Sequence, residues 1–118
     1  MANELTLRAS LSFAGDQNTI TKAFGPTTLD VAGDNPNSSV QDVGITEEAL
    51  AMGDAGVGGY LWAKNLDDTN FVEIRGGTGE ADLVKLLPGD VCMFRLTVAP
   101  WVIADTGACR LEYCVIPL

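Results

Sequence analysis

Apolar and polar residues alternate along most of this chain. From Glu4 to Phe13, the residues Leu5, Leu7, Ala9, Leu11 and Phe13 are interleaved with Thr6, Arg8, Ser10 and Ser12. A period of two puts the first set on one face of a strand and the second on the other, which predicts one buried and one wet face. The cluster Ala14-Gly15-Asp16-Gln17-Asn18 predicts a turn. A second strand follows, with Ile20 and Phe24 on one face; Gly25-Pro26 breaks it, and Thr27 to Val31 predicts a third. Gly33-Asp34-Asn35-Pro36-Asn37 is the strongest turn signal in the chain, and Val40 and Val43 lie in a further extended segment.

Between Gly44 and Gly53 the pattern is ambiguous. Thr46-Glu47-Glu48-Ala49-Leu50-Ala51-Met52 offers a capping threonine, acids for a first turn and good helix formers. A stretch of about two turns is too short for propensity to decide, so a helical turn and a strand both stay open. Alternation then returns: Tyr60 to Leu66 and Phe71 to Arg75 flank Asp67-Asp68-Thr69-Asn70, the composition of a hairpin loop. Leu83 to Leu87 forms the next strand and Pro88-Gly89 a tight turn. Val91 to Val98, Trp101 to Ala104 and Ala108 to Ile116 complete the set, the last with Cys109, Leu111, Tyr113 and Val115 on one face and Arg110 and Glu112 on the other. No segment is long enough for a crossover helix, and parallel pairing needs crossovers. The expected fold is therefore all-β: one domain over residues 1–118, an antiparallel β-sandwich or jelly roll of about eight strands, with a Greek-key barrel as the alternative.

Composition narrows the function classes. Seven Lys and Arg against sixteen Asp and Glu leave a net charge of −9 on 118 residues. Phosphate binding needs a concentrated positive field, so neither nucleic acid nor an anionic membrane surface is an expected partner. With 47% hydrophobic and 19% charged residues the chain is well outside the disordered range. No secretory leader is read at the N-terminus, and the apolar stretch near Val98 to Ala104 contains Pro100 and falls far short of the ~20 residues a bilayer span requires. Three cysteines, Cys92, Cys109 and Cys114, are an odd number and are read as reduced thiols in small buried positions.

Candidate chemistry is sparse. Gly56-Val57-Gly58-Gly59 and Gly76-Gly77-Thr78-Gly79 are followed neither by a helix N-terminus nor by the Lys and Ser/Thr of a phosphate loop. Asp67-Asp68, Glu47-Glu48 and Glu80/Asp82 supply carboxylate pairs, but Asp67-Asp68 falls in a loop, and Glu47 and Glu48 point to opposite faces if their segment is extended, which does not suit paired acid–base work. Without any histidine, Ser10, Ser12, Ser38, Ser39 and the thiols have no obvious activating base. The expectation is thus no catalytic residue, no metal site and no cofactor. The aromatics are more suggestive: Tyr60, Trp62 and Lys64 share one face of their strand, and Phe71, Glu73 and Arg75 share one face of theirs. If the two strands pair across the 67–70 loop, Tyr60, Trp62 and Phe71 form one patch. Periodicity alone leaves three readings of it: a subunit interface, the core, or a sugar-stacking platform.

The run Asn65-Leu66-Asp67-Asp68-Thr69-Asn70-Phe71-Val72-Glu73-Ile74, then Leu83-Val84-Lys85-Leu86-Leu87-Pro88-Gly89-Asp90 and Phe94-Arg95-Leu96, resembles a group of small structural proteins of tailed bacteriophages. So does the ending Ala108-Cys109-Arg110-Leu111-Glu112-Tyr113-Cys114-Val115-Ile116. The likeness covers the second half of the chain; the first half agrees mainly in strand pattern. It implies a virion component made in a bacterial cytosol, such as a capsid decoration or cement subunit, or otherwise a tail, neck or fibre protein. It also implies a homo-oligomer that contacts other virion proteins such as the major capsid protein, and it carries over no catalytic residue.

Overall fold

The computed structural model describes residues 3–31, 35–55 and 59–117. The Gly33-Asp34 part of the predicted turn and glycines 56 and 58 lie outside the described residues. The fold is all-β with antiparallel sheets, and the chain divides into two compact units, Met1–Ala32 and Gly33–Leu118.

The first unit is a long hairpin, β1 (Asn3–Ala14) and β2 (Thr19–Val31), in register from Asn3↔Val31 to Ala14↔Thr19. The second and third predicted strands are therefore one strand running through Gly25-Pro26. The register shift between Leu7 and Ala9 sets Gly25 and Pro26 against Arg8 alone, a bulge that takes proline out of the regular ladder. Gly25 has a φ of +85°, and a side-chain carbon there would collide with the Leu7 carbonyl oxygen. Only glycine fits both demands.

The second unit contains β3 (Asn37–Val43), β4 (Glu48–Ala49), a one-turn 3-10 helix (Gly53–Ala55), β5 (Tyr60–Asn65), β6 (Val72–Arg75), β7 (Asp82–Leu86), β8 (Val91–Arg95), β9 (Trp101–Ala104) and β10 (Cys109–Ile116). They form two four-stranded antiparallel sheets, ordered β3-β10-β5-β8 and β4-β9-β6-β7. Apart from β6 to β7, each successive strand lies in the other sheet. Strict alternation makes this possible, because every strand has one face to bury. Leu61 and Ala63 of β5, Val72 and Ile74 of β6, Val102 and Ala104 of β9, and Cys109, Leu111, Tyr113 and Val115 of β10 all join one buried cluster. Two sheets sharing one apolar core give a sandwich-like body. The ambiguous 44–52 segment contributes only the two-residue β4, paired Glu48↔Val102 and Ala49↔Trp101.

The predicted hairpin across Asp67–Asn70 does not form. Both edges of β5 are occupied, by β10 and β8, so β6 pairs instead with β7 and β9 in the other sheet. The chain is carried across by Asn65, a fully buried polar side chain. Its Nδ2 donates to the carbonyls of Asn70 at 2.9 Å and Leu86 at 3.0 Å, while its Oδ1 accepts from the Asp67 amide at 2.9 Å. Its backbone also accepts from Gly89 and donates to Asp90 of the Pro88-Gly89 turn. The Asp67 carboxylate then accepts the amides of Thr69 and Asn70. Asn65→Ala leaves two carbonyl acceptors and one amide donor without their partner, and should lower unfolding free energy by about 3 kcal/mol. Urea denaturation followed by tryptophan fluorescence measures this; a loss near zero would show that the crossover holds without the amide.

Candidate functional site

Tyr60 and Trp62 point away from the core, since Leu61, Ala63 and Asn65 between and beside them are fully buried. They lie on the outer face of the sheet β3-β10-β5-β8. Cross-strand register gives them neighbours that sequence reading did not identify. Trp62 stands between Cys114 of β10 and Met93 of β8, with Ser38 beyond Cys114. Tyr60 stands between Ile116 and Arg95, whose guanidinium lies 5.1 Å from the tyrosine ring centre. On the other side, Lys64 stands between Glu112 and Val91, and Val40 pairs with Glu112. The result is an apolar band of Ile116, Tyr60, Cys114, Trp62 and Met93, edged by Val40, Val91 and charged groups. Aromatic and methionine side chains ringed by charge are the composition of a protein–protein contact.

Phe71 is not part of this band. It precedes β6 and belongs to the other sheet, where the Lys85 ammonium lies 4.0 Å from its ring centre. The three aromatics singled out in the sequence are thus brought together only as a pair, Tyr60 with Trp62. The missing signal was register: Met93, Cys114 and Ile116 are distant in sequence and meet Trp62 and Tyr60 only through pairing.

A second apolar surface lies on the β1–β2 hairpin. The alternation of β1 predicts a buried face, yet Leu11 is 61% and Phe13 53% exposed, as are Ile20 (47%) and Phe24 (50%) on β2. Among the described residues of this unit, only Leu7 and Val31 are buried. A two-stranded sheet has no second layer of its own to cover an apolar face.

Two of the carboxylates, Glu47 and Asp82, meet at one cation. Arg75 pairs with Glu47 at 2.8 Å and Asp82 at 2.5 Å, and the Glu47 carboxylate also accepts the Gly79 amide at 3.0 Å. Hydrogen bonding to Arg75 holds the Glu47 carboxyl below its ordinary range. Asp82 is lowered by its interactions with Glu73 and Arg75, and the neighbouring Asp82 carboxyl in turn raises Glu73. Asp67 is lowered by the Asn70 and Thr69 amides it accepts. The thiols are poor nucleophiles at neutral pH: burial pushes Cys92 up to about 11 and also raises Cys109 and Cys114. A hollow bounded by Ile74, Leu83, Phe94, Leu96, Val98 and Pro100 measures about 130 Å³, below the ~300 Å³ at which small-molecule pockets begin.

No protein-family model, curated protein or solved structure matches the chain.

The carboxyl shifts set an acid limit. Glu47, Asp67 and Asp82 have lowered folded pKa values, so each contributes stability above its unfolded pKa that is lost as pH falls through the folded one. Glu73, being raised, acts in the opposite sense and offsets part of the loss. Stability should therefore fall below about pH 4. Arg75→Gln removes the cation that lowers two of these groups, and the melting temperature should then depend less steeply on pH across that window. An unchanged slope would show that the Arg75 cluster is not what acid disrupts.

Proposed function

We propose that this chain is a non-enzymatic structural subunit of a tailed-bacteriophage virion, a capsid decoration or cement protein, and that residues 33–118 form a jelly roll. The topology supports the second part. A jelly roll distributes eight strands over two sheets so that strands from the two ends of the unit lie side by side. The orders β3-β10-β5-β8 and β4-β9-β6-β7 have that pattern, with β3 next to β10 and β4 next to β9. The first part rests on the phage-like motif run together with one geometric observation: the outward apolar band centred on Trp62.

The motif residues have structural work in the fold, which explains why the resemblance carries assembly rather than chemistry. Asn65, Asp67, Thr69 and Asn70 build the crossover between sheets, and Pro88-Gly89 closes a turn in which the Asp90 amide donates to the Leu87 carbonyl at 2.9 Å. A cement subunit acts by burying apolar surface against neighbouring capsid proteins, with many weak contacts summed over a shell. The Trp62 band supplies such a surface, and an excess of acid suits the outside of a particle whose packaged genome repels it. The place of action in this reading is the virion, after synthesis in the bacterial cytosol.

Mass spectrometry of purified parent particles should find the protein at a copy number matched to the shell; its absence overturns the reading. Trp62→Glu should yield a folded protein that no longer joins particles, because a charge then replaces the centre of an apolar contact. Incorporation at the wild-type level would remove the band from the interface.

A second reading is favoured by the same pair of aromatics. Tyr60 and Trp62 alternate on an open sheet face, an arrangement able to stack sugar rings in a carbohydrate-binding module of a host-recognition fibre. A glycan array with wild type and Trp62→Ala decides this: binding lost in the variant supports it, and no glycan bound by the wild type ends it.

A further inference from the structure

We propose that the outer half of the β1–β2 hairpin is a contact between copies of this chain, in which the apolar face of one hairpin packs on the same face of another. The register sorts the hairpin into two unlike faces. Ala9 pairs with Phe24, Leu11 with Lys22 and Phe13 with Ile20, and direct cross-strand partners lie on one side of the sheet. Ser10 with Ala23, Ser12 with Thr21 and Ala14 with Thr19 fill the other side. One face is thus apolar around a single Lys22, and the other is small and hydroxylated. A shallow groove lined by Ala9, Ser10, Leu11, Lys22, Ala23 and Phe24 crosses both strands at this level.

Nothing within a two-stranded sheet covers that face, and an isolated hairpin in water is marginal. A second layer is required, and charge indicates which. Residues 1–32 carry two cations, Arg8 and Lys22, against three acids, Glu4, Asp16 and Asp30. Residues 33–118 carry five cations against thirteen acids. Two copies brought together through their 33–118 units meet with like charge on both sides, which costs free energy and slows encounter. The hairpin is nearly neutral, so it is where two copies approach with least repulsion, and it is where the apolar surface is open. The contact is self-complementary: leucine, isoleucine and phenylalanine meet the same set, and closed symmetric oligomers use one patch on each copy. Lys22 lays its aliphatic stem along the contact and keeps its ammonium at the wet rim.

This contact names the partner within the assembly reading and rests on it in part, yet a chain missing from virions and a chain that is monomeric are separate results. Size-exclusion chromatography with light scattering on the full chain at micromolar concentration should report an oligomer. Phe13→Asp with Ile20→Asp should shift it to monomer, whereas Ser12→Asp on the opposite face should leave the mass unchanged. Emission from Trp62 and Trp101, both in residues 33–118, should be unaltered in every variant. The milder Phe24→Ser, which keeps the strand ladder, should weaken association by about tenfold or more. A monomeric wild type would overturn the proposal and assign the face to a different protein. Wild-type mass in both the double variant and Phe24→Ser would overturn it by placing the contact elsewhere.

Discussion

The body of this protein depends on a buried amide. At Asn65 the chain leaves one sheet for the other, and a loop that passes between layers must find partners for backbone groups no ladder can serve. A single asparagine supplies two donors and an acceptor at that point, reaching Asn70, Leu86 and Asp67 at once. An apolar residue there would fill the space and leave three polar groups dry. The same side chain therefore sets where β5 ends, how the 67–70 loop bends and where β7 terminates. Tyr113 and Gln41 play the equivalent part for the 44–52 segment. The Tyr113 hydroxyl and the Asn37 amide both donate to the Ala51 carbonyl, and Gln41 bonds Glu48, Ala49 and Ala51.

Around these polar fixtures the core is built of small and medium side chains packed at alternate positions. Its economy has a consequence outside. With Leu61, Ala63, Leu111, Tyr113 and Val115 turned inward, Trp62, Tyr60, Met93 and Ile116 are left on the outer face of the same sheet. Apolar surface is also left open on the hairpin. Glu47 and Asp82 are paired with Arg75 and Asp67 is held by its own turn. In the structural role proposed above, these two apolar surfaces are where contacts with other proteins would form.

Much of the architecture was legible in the chain. The alternation in β10 separated Cys109, Leu111, Tyr113 and Val115, which lie inside, from Arg110 and Glu112, which lie outside, while in β5 and β6 it sorted the two faces and left open which of them was buried. The Pro88-Gly89 turn was legible too, because proline and a positive-φ glycine act locally. Three readings did not hold. Gly25-Pro26 does not end a strand, since a bulge accommodates it; Asp67–Asn70 does not close a hairpin, since β5 has no free edge. The apolar face of Leu11 and Phe13 is exposed, because period reports that a face is apolar and says nothing about whether anything lies on it.

Side-chain period and turn chemistry are properties of a few consecutive residues, so the sequence by itself determined that the chain is all-β, where most strands lie and which side chains share a face. Strand order depends on which edges are already occupied by residues far away along the chain. Only the tertiary structure could therefore decide that β10 lies between β3 and β5, that Trp62 stands between Met93 and Cys114 while Phe71 belongs to the other sheet, and that residues 48–49 are a strand. Non-local pairing is a competition among all edges of the molecule, and no local window contains its outcome.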